Sequence, residues 1–246
     1  MSNPPAPSPA QPTSPSLPLQ TAIQEPRLPT PSLPPSTTGT SQQHIHGLAR
    51  AVSRALYPLT VLFETEALPR GQPSDKPLDP QSLERIVYAS ALKRLAAKIP
   101  RGAFVAEAGG FAAVACWEPM RVSTGTDGDG GRDRGKEQRP LFTAWSAAIA
   151  RLKAEHLYPR APGGRYWQLS LMARDPDAAY VAGAVRAVLV PFMRDFASKD
   201  NGPVPVWLEA GSPRARDVYA HYGFRVVGVV EVGGIEAWGM PYTGDD

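Results

Sequence analysis

A mixed α/β sheet flanked by helices is the fold class this sequence predicts, and three patterns predict it. From Arg165 onward, short β-competent runs alternate with helical periodicity. Gly233-Gly234 then joins the last two runs as a hairpin, which makes the sheet mixed rather than purely parallel. A second hairpin signal, Gly109-Gly110, separates two apolar runs in the first half. With 246 residues, 42% of them hydrophobic, the chain suits one principal domain with an ordinary core.

Residues 1–43 are dominated by Pro, Ser, Thr and Gln, with Glu25 and Arg27 as the only charges. So little apolar surface cannot offset the entropy of ordering, so a disordered tail is expected, followed by a folded domain over 44–246. Pro9, Pro12, Pro15 and Pro18 recur every third residue, which aligns them on one face of a polyproline II helix. An SH3-type or WW-type partner would recognise such a face, although a solvated tail has the same composition.

Ile45, Leu48, Val52, Leu56 and Leu59 describe one apolar helix stripe, which Pro58 is expected to kink or end. A loop over 69–78 follows. Asp79 then reads as an N-cap with Pro80 at the first helical position, opening a helix to Lys98 whose core side holds Leu83, Val87, Ala91 and Leu95. The hairpin strands are expected over 103–107 and 111–117, with Pro119 ending the second. Residues 123–139 are rich in Gly, Asp and Arg and read as a mobile insertion. Asp127 and Asp129 there hint at a calcium loop, but Arg132 replaces the turn glycine and Gln138 the twelfth-position Glu, so no metal is assigned.

A helix over 141–157 buries Trp145, Ile149 and Leu152. Then come a strand at 166–173, a helix at 177–197, a strand at 204–209, a helix at 213–222, a strand at 224–232 and a last strand at 235–240.

The formal charge of +3, from 26 basic and 23 acidic residues, shows no basic face, so nucleic acid is not an implied partner. Cys116 is the single cysteine and lies in an apolar run, which favours a reducing, intracellular compartment, cytoplasmic or nuclear. No window reaches the ~20 apolar residues of a membrane span, and the start lacks the pattern of a signal peptide, so no membrane association is expected.

Several local strings resemble the GNAT superfamily of N-acetyltransferases. YWQLSLMARDP, 166–176, looks like that family's central strand, and PVWLEAGSPRARDVYAHYGFRVVG, 205–228, like its second conserved block with a Tyr-x-x-x-Gly-Phe ending. FAAVACWEP, 111–119, is similar to the strand ending Trp-x-Pro of many fungal-type members. The resemblance implies acetyl-CoA as cosubstrate and direct attack of an amine, on a small molecule or a protein, at the thioester.

The same resemblance implies site residues. Tyr219 matches the usual general acid, and a hydroxyl with a pKa near ~10 stays neutral while able to protonate a thiolate. It would otherwise pack the last helix on the sheet. Glu118 and Asp175 are the candidate bases at strand ends, with Glu209 a third carboxylate suited to positioning the amine. Each could equally be a solvated or loop-capping carboxylate. The pantetheine would pair with the backbone of Leu171, Met172 and Ala173, with Arg174 near the phosphates. The phosphate loop falls on Tyr180, Val181, Ala182, Gly183, Ala184 and Val185, where only Gly183 keeps the family's pattern. Backbone amides still bind phosphate if the loop geometry persists. If it has decayed, a scaffold that binds acyl-CoA or a partner without turnover remains. His44, His46 and His156 read as helix-end residues without metal partners.

Overall fold

The protein is described by a computed structural model over residues 32–68, 78–122, 139–198 and 203–244. All elements belong to the unit Leu33–Asp246. The polyproline pattern, the loop at 69–77 and the calcium-like stretch lie outside the described residues.

Seven strands form one sheet in the order β1-β2-β3-β4-β5-β7-β6, where β1 is Ser36–Gly39, β2 Phe104–Ala108, β3 Ala113–Arg121, β4 Arg165–Arg174, β5 Val206–Ala210, β6 Gly228–Val232 and β7 Ile235–Tyr242. Only β4 and β5 run parallel; the other neighbours are antiparallel. The parallel pair is joined through a helix, as a crossover requires. Among the described residues the α-helices are α1 Gln42–Ala55, α2 Pro58–Glu66, α3 Pro80–Lys98, α4 Pro140–His156, α5 Ala184–Phe196 and α6 Pro213–His221.

Alternation along the strands sorts the core into two faces. Ala106, Ala108, Ala113, Ala115 and Trp117 pack with Val188, Leu189 and Met193 of α5. Val105, Val114 and Cys116 turn the other way, onto Leu48 and Val52 of α1 and Val87 and Leu95 of α3. A third cluster holds α4 through Ile149, with Tyr166, Trp207 and Val230. Trp117 also donates its indole N–H to the Val188 carbonyl at 3.2 Å, in the stretch of α5 that Pro191 deprives of a backbone donor.

Several boundaries differ from the sequence expectation. Strand β1 lies inside the expected tail; it joins β2 through backbone pairing from Ser36–Ala108 to Gly39–Val105 and a 2.6 Å hydrogen bond from Thr37 to Glu107. That docking needs no apolar side chain, so composition does not reveal it. The first apolar stripe spans two helices, since Leu56 adopts a left-handed conformation and Pro58 opens α2 at its first position. Pro119 does not end β3. Pairing with β2 stops at Trp117, so Pro119 pairs with β4 only, where a missing N–H is tolerated. The helix expected from Asp177 starts at Ala184, because Asp177 N–H bonds the Asp175 carboxylate at 3.0 Å and Gly183 turns at φ +79°. Residues 224–227, expected as strand, run beside β7 with two backbone bonds, from Arg225 to Pro241 and Val227 to Gly239.

Candidate active site

A bulge in β4 creates the cleft. On β3, Cys116 and Trp117 are consecutive, but their partners are Leu171 and Leu169, which leaves Ser170 as an extra residue. Trp167 and Leu169 therefore pack on the α5 face, whereas beyond the bulge Met172 does so and Leu171 and Ala173 face α1. Pairing of β4 with β5 ends at Gln168–Trp207, just before the bulge. The two strands part there, and the backbone edge of β4 from Leu169 to Arg174 lines a cleft of about 1240 Å³.

One end of the cleft suits a phosphate-bearing ligand. Val181, Gly183, Ala184 and Val185 line it, while Tyr180 is 73% exposed beneath the Arg174 guanidinium at 4.8 Å. Ala182 is not among the lining residues. Helix α5 has no side-chain cap, unlike α1, α3 and α6, which Ser41, Asp79 and Ser212 cap. Ala184 N–H donates to the Val181 carbonyl at 3.2 Å, which leaves the Val185 and Arg186 N–H groups for an outside acceptor, and the left-handed Gly183 gives the turn its shape. Together with the unpaired edge of Leu171, Met172 and Ala173, this fits the pantetheine and pyrophosphate of acetyl-CoA. The loop is tightly backed: a Cβ on Gly183 would meet Pro34 at 3.3 Å.

Tyr219 stands at the parting of the strands. It lines the cleft from α6 and donates to the Met172 sulfur at 3.3 Å. Burial pushes its hydroxyl well above the ordinary tyrosine value, and neighbouring Tyr57 adds to the effect. Tyr57, at the start of α2, is itself raised by burial, with the Arg174 backbone amide and the Arg214 charge opposing.

The expected carboxylates separate. Glu118 is 2% exposed and bound by Lys98 and by Arg101 at 3.3 Å, and it does not line the cleft. Asp175 is also outside the lining; it bonds Arg54 at 3.2 Å and the Asp177 amide, so it holds the loop after β4. Glu209 does line the cleft. Its carboxylate accepts from Trp207 Nε1 at 2.6 Å and Gln168 Nε2 at 3.3 Å, with Lys153 Nζ at 3.3 Å.

The N-terminal helices were expected to shape the other half of the cleft, but its residues were not singled out from the sequence. Helix α2 brings Phe63 and Glu64, α3 brings Arg94, and the start of α4 brings Arg139, Phe142 and Trp145. Glu66 at the end of α2 accepts from the Leu141 and Phe142 amides at 2.6 and 3.0 Å, which locks the two helices together. Arg94 sits one residue before the buried Leu95, and Trp145 read as core; no spacing linked them. Among the described residues no group of three or more His, Cys, Asp or Glu side chains is arranged to hold a metal.

No sequence-family profile matches the chain, and no curated protein does. Solved structures do. An agmatine N-acetyltransferase variant in its apo form is 14% identical with a TM-score of 0.53, over 84% of this chain and 98% of that one. The Drosophila melanogaster polyamine N-acetyltransferase, which forms N-acetylagmatine, is 12% identical with a TM-score of 0.50, over 85% and 100%. A putative arylalkylamine N-acetyltransferase 7 from the mosquito Aedes aegypti is 13% identical with a TM-score of 0.52, over 87% and 96%. These neighbours do not bear on the fungal-type subgroup. Three helices, a hairpin, the bulged and parted central strand and the closing hairpin, together with these likenesses, give the chain the fold of the GNAT N-acetyltransferases.

Proposed function

We propose that the protein is an acetyl-CoA-dependent N-acetyltransferase in which a bound amine attacks the thioester directly. The observation that carries this reading is the Tyr219 hydroxyl, held at the parting of β4 and β5 beside an unpaired strand edge and an uncapped helix. Acetyl-CoA supplies the acyl group as a thioester. The amine nitrogen forms the new N–C bond as the C–S bond breaks; its proton passes to a base, and the Tyr219 proton passes to the departing thiolate.

Among the described residues two carboxylates line the cleft. Glu209 already accepts two hydrogen bonds and faces Lys153, which suits it to orient the amine. Glu64 has Arg94 at 3.7 Å, beyond hydrogen-bond reach, and keeps free lone pairs to receive the proton. Release of free CoA from acetyl-CoA and a panel of amines tests the reading, and no release with any amine removes it.

A second reading has its own observation. Val185 adds a branched side chain to the phosphate end, and a Cβ at Gly183 would meet Pro34 at 3.3 Å and Leu33 at 3.5 Å. A scaffold that binds acyl-CoA without turnover fits that crowding. Calorimetric binding of acetyl-CoA in the absence of turnover would select it.

A further inference from the structure

Four buried side-chain nitrogens have no hydrogen-bond partner among the described residues: Arg94 Nε and Nη2, Arg139 Nε and Trp145 Nε1. All three side chains line the half of the cleft away from the phosphate loop. Buried donors are rarely left unpaired, least of all charged ones. Two cations also share this space. Burial lowers the Arg94 pKa, and the charge of Arg139 lowers it further, with Glu64 opposing. Among the described residues Glu64 is the one carboxylate set against these two guanidiniums in that half of the cleft, and at 3.7 Å it does not hydrogen-bond Arg94.

We propose that this half is an anion subsite, and that the acceptor amine also carries a carboxylate, received by Arg94 with Arg139 and the Trp145 indole. The proposal rests on the transferase reading above. Arg139 is anchored, since Nη2 donates to the Phe63 carbonyl at 2.8 Å and the guanidinium lies 4.7 Å over the Phe142 ring. Arg94 has the Glu64 ion pair at 3.7 Å but no hydrogen bond among the described residues to hold it, and it keeps 37% of its side chain exposed, so its end can turn to present the unpaired Nε and Nη2 edge. That edge carries two parallel N–H groups, which match the two oxygens of a planar carboxylate. Phe63, Phe142 and Trp145 form a cluster with centroids 5.2–5.8 Å apart, an apolar wall for the body of the same molecule. Agmatine and polyamines, acted on by two of the structural neighbours, are cationic. Two arginines disfavour such acceptors here.

The test has a binding arm and a turnover arm, both on the full chain. Calorimetric titration compares 3-phenylpropionate, 3-phenylpropanol and phenyl phosphate. Free-CoA release compares phenylalanine, phenethylamine and agmatine. The carboxylate is expected to bind at least about tenfold more tightly than the alcohol, and phenylalanine to exceed phenethylamine in kcat/KM by a similar factor. Arg94→Gln is expected to remove both preferences, and Arg94→Lys to restore them in part. Equal binding of acid and alcohol by the unaltered protein overturns the subsite without reference to any variant, as does a preference for agmatine. Tighter binding of phenyl phosphate than of phenylpropionate overturns the carboxylate in favour of a phosphate monoester. Arg94-dependent carboxylate binding with no CoA release from any amine supports the subsite and sinks the transferase reading alone.

Discussion

The Tyr219 hydroxyl donates to the Met172 sulfur across 3.3 Å, tying α6 to the free edge of β4 where that strand has left β5. A thioether is a weak acceptor, so the proton is held in place without being strongly engaged. Burial keeps the hydroxyl protonated well above neutral pH. Tyr219→Phe removes the proton and little volume. The expected result is a loss of roughly a hundredfold or more in kcat, with acetyl-CoA affinity retained, read from CoA release and calorimetry.

Gly183 holds φ at +79°, and a Cβ there would approach Pro34 to 3.3 Å. Gly183→Ala is therefore expected to cost about 1–2 kcal/mol in urea unfolding. Because the same turn aims the first amides of α5, acetyl-CoA affinity should fall roughly tenfold. Unchanged affinity would mean that the pyrophosphate does not use this helix start.

Glu118 and its cations are a structural cluster. Replacing the buried carboxylate by Glu118→Gln leaves Lys98 without its counter-charge, and Arg101, 61% exposed, turns to water. Stability should drop by about 2–4 kcal/mol. The kcat of the folded fraction should remain within about twofold, since Glu118 does not line the cleft. A much larger loss in kcat would return Glu118 to the chemistry.

Lys153 is buried beside Glu209, with its ammonium 5.6 Å from the Trp207 ring centroid and 5.7 Å from that of Tyr166. Lys153→Met strands the Glu209 carboxylate. A destabilisation of about 3 kcal/mol is expected, together with a rise in KM for the amine if Glu209 orients it. Calorimetric unfolding and steady-state kinetics read the two effects separately.

Asp79 caps α3, accepting from the Ser82 amide at 2.9 Å and the Ser82 hydroxyl at 2.6 Å. The hydroxyl and the amide both lower its pKa on folding. A depressed folded value means that the cap contributes stability above the ordinary aspartate range, about pH 4, and loses it as pH falls through the folded value. Asp79→Asn should lower Tm at pH 7 and flatten the Tm profile below pH 4; a profile parallel to that of the unaltered protein would rule the contribution out.

Local chemistry made much of this molecule legible. Asp79 with Pro80 places the start of α3 to the residue, because a cap and a fixed φ act within one turn. Pro213 opens α6 at the expected residue, and Gly233-Gly234 marks the last hairpin. The string around Tyr219 singled that residue out, and its side chain lines the cleft. The carboxylates were not sorted, because Glu118 and Glu209 each end an apolar run and differ only in which side chains the fold brings to them.

By itself, the sequence determined the α/β class and the order of the elements after Asp79, properties carried within a few residues. The tertiary structure alone decided the bulge at Ser170, which reverses the facing of β4 and parts it from β5, and the meeting of Arg94, Arg139 and Trp145 across one cleft. Those depend on pairing and burial between distant segments, where the free energy lies in contacts that no single window of sequence contains.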